Sequence, residues 1–237
     1  MKINLLDLKP WHFRDTIVLP ETIISWFQNQ DAFWQYQGSP DPKNPHAELT
    51  SGLCSDGFID CLRILCYPNV AEILGFQLAQ KMQPYLIRVG KVDWVVSSAY
   101  AAITFGHEVA KAVGAKFMFT EKDPSDPKGK KMLWQRITIP EGSVVLQVEE
   151  LITTSGTFHE VRRAIQEGNS EAVNFVPVIG ALVHRPETLS VKYGDLKVVA
   201  LIEREIKNWN PADCPLCRVG SPRLRPKKNW AQLTRNK

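Results

Sequence analysis

The stretch "SVVLQVEELITTSGTFHEV" (residues 143–161) changes character twice. Residues 143–149 are rich in apolar side chains, which suits a strand of a parallel sheet covered on both faces. Two adjacent acids, Glu149 and Glu150, end that run, and Thr153, Thr154, Ser155, Gly156 and Thr157 follow. The segment "GTFHEVRRAIQEG" (156–168) then reads as an amphipathic helix ending on glycine. In open parallel sheets ligands bind beyond the carboxyl ends of the strands, where loops enter helices. Clustered backbone N–H groups, hydroxyl donors and the positive end of a helix dipole suit a phosphate at that position. The glutamates suit sugar hydroxyls instead, or Mg²⁺ held directly or through its waters. The plainer reading of these residues is a Ser155 helix cap and two solvated strand-end charges.

The surrounding pattern supports a parallel sheet. The segment "PETIISWFQNQDAFWQY" (20–36) opens on proline and spaces Ile23, Ile24, Phe27, Phe33 and Trp34 near helical intervals, and "NVAEILGFQLAQKM" (69–82) is a second amphipathic helix after Pro68. Between them "HAELTSGLCSDGFIDC" (46–61) reads as short extended pieces around glycine turns. Then strands and helices alternate: "VDWVVSS" (92–98) as strand, "ITFGHEVAKAVG" (103–114) as helix, and "AKFMFTE" (115–121) and "MLWQRITI" (132–139) as extended segments. After the central stretch, "AVNFVPVIGALVH" (172–184) and "LKVVALIE" (196–203) are further apolar strands. The alternation predicts an α/β fold with helices on both faces of a central parallel sheet.

A chain of 237 residues can bury one sizeable core. No apolar run approaches the ~20 residues of a membrane span, so no membrane association is expected. The first residues, "MKINLLDLKPWHFRD", lack the pattern of a secretory signal, which predicts a cytoplasmic protein. Five cysteines, Cys54, Cys61, Cys66, Cys214 and Cys217, suit free thiols in a reducing compartment. "CPLC" (214–217) has the spacing of half a zinc site or a redox pair, but no second close pair accompanies it along the chain, so neither role is expected. His107, His159 and His184 read as helix or strand-end residues without partners at metal spacing. Residues 218–237 carry seven basic residues and no acid, so residues 1–217 hold a net −3 against +4 for the whole chain. Without an aromatic-interleaved basic face, this tail reads as solvated rather than nucleic-acid-binding.

"VVLQVEELITTSGT" resembles the phosphoribosyl pyrophosphate (PRPP) signature of the type I phosphoribosyltransferases. Other segments narrow the resemblance to the orotate enzymes. "HAELTSGLCSDGFID" is similar to their base-binding segment, "DWVVSSAYAAITFGHEVAKAVGAKFMFTEK" to their pyrophosphate loop and flanking elements, and "ALVHR" to the strand whose terminal arginine meets the orotate carboxylate. "LKVVALIEREIKNWNPADCPLC" is similar to the C-terminal end found in some of them. The resemblance implies a type I phosphoribosyltransferase fold with a small hood. It divides the chain into an N-terminal extension (1–45) with a helix and part of the hood, a core (46–210), and a basic C-terminal tail (211–237) carrying CPLC. It also implies a homodimer in which a mobile lid closes over the neighbouring subunit's site. The implied reaction transfers ribose 5-phosphate from PRPP to orotate with Mg²⁺, giving orotidine 5′-monophosphate and pyrophosphate in pyrimidine biosynthesis.

Residue by residue, the resemblance assigns Thr153, Thr154, Ser155, Gly156 and Thr157 to the 5-phosphate. Ser97, Ser98, Ala99 and Tyr100 fall in the pyrophosphate loop. Glu149 and Glu150 face the ribose hydroxyls and stand near Mg²⁺. Lys122, Lys128, Lys130 and Lys131 belong to the lid and neutralise pyrophosphate. Thr50, Ser51, Gly52, Phe58 and Arg185 form the orotate pocket, a bidentate guanidinium being suited to the carboxylate that separates orotate from uracil. The chain departs from the family pattern at Glu150, where aspartate is usual, at "SSAYAA" in the pyrophosphate loop, and at Leu53 and Cys54. These departures leave a second reading open, a PRPP- or nucleotide-binding homologue without transferase activity that acts as a regulator or partner protein.

Overall fold

The computed structural model describes residues 3–235; Met1 and Lys2 of the N-terminal extension and Asn236 and Lys237 of the basic tail lie outside them. Two short 3₁₀ turns (Leu5–Asp7 and Pro10–Phe13) precede helix α1 (Pro20–Asn29). Pro20 presets the first turn of α1, whose Ile23, Ile24, Trp26 and Phe27 are buried. The helix stops earlier than its apolar spacing predicts: Asp31 takes φ 54°, and Phe33 and Trp34 belong to strand β1 (Phe33–Gln35). Short strands β2 (His46–Glu48), β3 (Cys54–Ser55) and β4 (Gly57–Ile59) follow, then the single turn α2 (Leu62–Leu65) and the long α3 (Pro68–Leu86).

The alternating part begins at β5 (Trp94–Ser97), with α4 (Ala102–Val113) capped by Gly114 at φ 70°, and β6 (Lys116–Phe119). A hairpin of β7 (Glu121–Lys122) and β8 (Met132–Leu133) comes next; residues 134–139 are irregular, so only the first two residues of the expected extended segment 132–139 form a strand. Strand β9 (Val144–Ile152) leads into α5 (Gly156–Gly168), followed by β10 (Asn174–His184) and β11 (Lys197–Glu203). The chain ends with β12 (Asn208–Trp209), α6 (Pro215–Arg218), β13 (Arg223–Leu224) and α7 (Pro226–Leu233).

The central sheet is five-stranded and fully parallel, in the order β11-β10-β9-β5-β6. Strands β9 and β10 sit near its middle, and seven consecutive residues of β10, Gly180 among them, are shielded as a doubly covered strand requires. On one face, α1, α3 and α4 build the main core from residues such as Phe27, Leu74, Leu78, Phe105, Leu182 and Ile202. Gly180 lets α3 approach closely, since a Cβ there would meet Met82 Sδ at 2.7 Å. On the other face α5 packs Val161, Ala164 and Ile165 against Val96 and Val145.

The first residues of the N-terminal extension pack on the core. They lie along α3: Asn69 Nδ2 donates to the carbonyls of Leu5 and Leu8, and the buried Gln77 amide donates to Phe13 and Thr16 and accepts from Val18 N–H at 2.7 Å. These bonds satisfy the polar groups that the turns bring inside. Further along the extension β1 pairs with β4, Tyr36 packs against the cluster of Cys54 and Cys214, and Asn44 O accepts from Ser221 Oγ. The hood itself is a four-stranded sheet in the order β12-β3-β2-β13. The basic C-terminal segment is therefore built in: β13 pairs with β2, and α7 lays Trp230 and Leu233 on Trp34 and Phe58.

Candidate functional site

The acid pair lies inside β9, which runs through Glu149 and Glu150 to Ile152. The strand continues past the acids because its neighbours continue: Ala181 and Val183 of β10 pair with Glu149 and Leu151. Alternation then sends the two carboxylates to opposite faces of the sheet. Glu149 is buried; its Oε2 accepts from Ser98 Oγ at 2.6 Å and its Oε1 from Gln147 Nε2 at 3.2 Å. Burial, and secondarily the Glu150 charge, push the Glu149 carboxyl up to about 8, against the pull of Ser98, Gln147 and Lys122. Glu150 is half-buried and raised by burial, while its own N–H, that of Leu151 and the Lys122 charge draw it down. The Lys122 charge thus acts on both acids, and Glu150 is the less buried of the two carboxylates.

Beyond β9, residues 153–157 curl into α5. Thr154, Gly156 and Thr157 are exposed, Thr153 and Ser155 half-buried, and the Ser155 side chain makes no capping bond although it occupies the cap position. This loop faces the β7–β8 hairpin across a cleft of about 810 Å³, lined by Lys122, Lys130, Lys131, Thr154, Gly156 and Thr157 among others. The first-turn N–H groups of α5 and three ammonium groups therefore border one volume, which is the electrostatic setting of a polyphosphate site.

The hairpin turn carries its own scaffold, which sequence reasoning missed. Asp126 accepts from the backbone N–H groups of Lys128, Lys130 and Lys131 at 2.7–3.0 Å. Asp123 accepts from Ser125 and is ion-paired with Lys131 at 3.0 Å, and these contacts, Ser125's first, hold it down at about 2. Lys128, Lys130 and Lys131 are all exposed, and Lys131 is engaged with the turn through Asp123. The repeated Asp-Pro of "DPSDPKG" is the signal that points to such self-bonding turns. At the foot of the hairpin Glu160 accepts from Met132 N–H at 2.8 Å and from Arg163, joining α5 to the hairpin.

The Ser97–Tyr100 segment ends β5 beside Glu149. Ser97 is fully buried, with its hydroxyl on the Ser98 carbonyl at 3.4 Å, so Ser98 supplies the hydroxyl that meets the acid. The Ala99–Tyr100 peptide is cis, and Tyr100 is exposed.

Arg185 follows β10, its N–H donating to Ile152 O at the end of β9. Its Nε and Nη1 are buried with no hydrogen-bond partner. Burial lowers its pKa, against the charges of Cys61 and Asp56, the groups that face it. Asp56 Oδ1 is already occupied by Lys207 N–H at 2.8 Å. An arginine held this way has buried donors without acceptors, and such an unpaired buried charge costs several kcal/mol until an anion meets it. Arg185 does not line the phosphate cleft. Cys61 connects the two regions, with its Sγ 3.5 Å from Glu150 O and its side chain beside Arg185.

Thr50, Ser51 and Gly52 form the β2–β3 turn, with Gly52 at φ 82° and its carbonyl accepting from Arg223 Nη2 at 3.1 Å. Phe58 meets Trp230 edge to face at 6.1 Å, so the C-terminal helix backs the residue expected to line the base pocket.

CPLC is not alone, contrary to expectation. Cys214 and Cys217 stand with His46 of β2 and Cys54 of β3, and the four ligand-type atoms lie within 4.8 Å of one another. Sequence distance concealed the pair that completes the group. Among the described residues no helix is long and apolar enough to cross a membrane.

No family model matches the chain. It is similar to curated proteins named orotate phosphoribosyltransferase. The protein from Caldanaerobacter subterraneus subsp. tengcongensis is 30% identical over 181 residues, 76% of this chain and 87% of that one. The Thermoanaerobacter protein is 32% identical over the same shares, and that of Caldicellulosiruptor bescii is 30% identical over 84% of this chain and 97% of its own. Among solved structures, the fold is that of orotate phosphoribosyltransferase from Aeropyrum pernix, with a TM-score of 0.53 at 16% identity, over 75% of this chain and 90% of that one.

Proposed function

The chain belongs to the orotate phosphoribosyltransferase family, and from that premise we propose that it transfers ribose 5-phosphate from PRPP to orotate, releasing pyrophosphate and giving orotidine 5′-monophosphate for pyrimidine biosynthesis. The observation that carries the reading is Arg185, a buried guanidinium with two unpartnered nitrogens. Orotate differs from uracil by one carboxylate, the anion that a guanidinium pairs with in bidentate fashion.

The residues of this chain then divide the work. Thr153 to Thr157 and the N-terminus of α5 hold the 5-phosphate. Glu150 accepts from the ribose hydroxyls, and Glu149, tied to Ser98, fixes the end of β5 against β9 and orients residues 98–100 towards pyrophosphate. Lys122 sets its charge between the acids and the leaving group. Lys128 and Lys130 bring further positive charge when the hairpin closes, and Lys131 holds the hairpin turn through Asp123. Thr50, Ser51 and Gly52 close over the base, with Phe58 behind them. As the bond to pyrophosphate breaks, the sugar becomes cationic and the leaving group anionic, so rate comes from positioning and from cations gathered around pyrophosphate. Mg²⁺ supplies part of that charge when it arrives with PRPP; the half-buried Glu150 carboxylate suits it, while both oxygens of Glu149 are already bonded within the protein. The enzyme works as a cytoplasmic homodimer, each lid serving the partner's site.

Turnover tests the reading. Purified protein given orotate, PRPP and Mg²⁺ should lose the orotate absorbance and release pyrophosphate in equal amounts. PRPP binding by calorimetry with no such loss would replace the transferase reading with that of a binding homologue.

A further inference from the structure

We infer that His46, Cys54, Cys214 and Cys217 form a structural Zn²⁺ site that fastens the C-terminal segment to the hood. Zinc in structural sites takes four Cys or His ligands tetrahedrally, with Zn–S near 2.3 Å and Zn–N near 2.0–2.1 Å; such a tetrahedron sets sulfurs about 3.8 Å apart and sulfur and nitrogen about 3.5 Å apart. Cys54 and Cys217 sulfurs are 3.5 Å apart, and His46 Nε2 lies 3.8 Å from Cys214 Sγ and 3.4 Å from Cys217 Sγ. These three spacings match a metal-centred tetrahedron, all four ligand atoms lie within 4.8 Å of one another, and the set is Cys₃His.

The histidine is presented as a ligand. Ser221 Oγ donates to Asn44 O at 2.6 Å, so it meets His46 Nδ1 at 2.8 Å as an acceptor. That places the ring proton on Nδ1 and leaves the Nε2 lone pair aimed at the sulfurs, the arrangement by which an outer hydrogen bond fixes a metal-binding imidazole.

The backbone around CPLC is shaped to the same end. Arg218 N–H donates to Cys214 O, Gly220 N–H to Cys217 O and Ser221 N–H to Leu216 O, a tight turn that brings both sulfurs to one side. Three thiolates and a neutral imidazole around Zn²⁺ carry a net negative charge, and Arg223 stands beside both Cys217 and His46 to offset it. The hood strands β2, β3, β12 and β13 have two or three residues each, too few to form a stable sheet from pairing alone. Around the cysteines the apolar cluster is limited to Cys54, Cys214 and Leu216 with a few half-buried neighbours. Binding zinc supplies folding free energy where packing supplies little. The inference stands whether or not the transferase reading holds.

Elemental analysis of the untagged wild-type chain, purified under reducing conditions, tests it without any variant. The expected content is about one Zn²⁺ per chain. Cobalt exchange should give the visible absorption of tetrahedral Co²⁺ with thiolate charge-transfer bands, and Cys54→Ser and Cys217→Ser should each lower the bound metal at least ~10-fold. Less than about 0.1 Zn²⁺ per chain after incubation with zinc, or metal retained unchanged in both variants, would overturn the inference. So would a Cys54–Cys217 disulfide found by mass mapping in freshly isolated protein.

Discussion

The carboxyl edge of the parallel sheet and the hood above it are stabilised by opposite means. The sheet buries long apolar strands between helices, with Leu146, Val148, Leu182 and Ile202 fully enclosed, and can carry unsatisfied polar groups on that foundation. Its edge does so: Glu149 is raised towards neutrality, and Arg185 has donors without acceptors. The hood has strands of two or three residues and small apolar clusters, yet apart from the buried Asn208 Oδ1 its polar side chains are tied by local bonds, from Ser221 on His46 to Arg223 on Gly52. Function accumulates where packing can sustain electrostatic strain, and local bonding accumulates where packing is thin.

The largest effect expected from this contrast is at Arg185. Arg185→Ala should lower kcat/KM for orotate by about 100-fold or more while changing the KM for PRPP by no more than a few-fold. Equal losses on both substrates would make Arg185 a structural residue and remove the contrast. Next, Lys122→Ala should lower kcat by about 10- to 100-fold with little change in melting temperature, because Lys122 acts on charge and contributes little packing.

A third change separates the two regions by stability. Folded Glu149 keeps its proton up to about pH 8, whereas the unfolded chain releases it near the ordinary 4.5. Between those values the unfolded state binds fewer protons, so this group makes stability fall as pH rises. Glu149→Gln should remove that fall and gain on the order of 2–4 kcal/mol relative to wild type at pH 8, with no gain at pH 4, measured by urea unfolding. An unchanged pH slope would show that the acid is ionised in the fold. Smallest, Asp126→Ala should lower kcat/KM by about 3- to 10-fold by loosening the hairpin while leaving the melting temperature within about 2 °C; a large loss of stability would show the hairpin to be part of the fold's foundation.

Sequence and structure agree best where period and chemistry coincide. Helix α5, the strands β9 and β10 and the Thr-rich loop are legible because apolar spacing and a hydroxyl cluster fall together. The end of β9 is not: polarity suggested a stop at Glu149, but pairing with β10 carries the strand to Ile152. Helix α1 is similar, since Phe33 and Trp34 fit a helical period and were claimed instead by pairing with Ile59 and Phe58. The cysteine cluster was hidden for a different reason. Its ligands come from residues 46, 54, 214 and 217, and the pairing of β12 with β3 and of β13 with β2 brings those segments together. Arg185 was legible as a type, but its lack of partners is a property of burial that no spacing displays.

The central claim is that Arg185 waits for the substrate's carboxylate, and calorimetric titration of orotate and uracil into the PRPP- or pyrophosphate-loaded protein tests it most directly. The account predicts orotate bound at least about 100-fold more tightly than uracil, with the preference lost in Arg185→Ala. Equal affinity for the two bases in the wild-type chain, or a preference that survives Arg185→Ala, would contradict it.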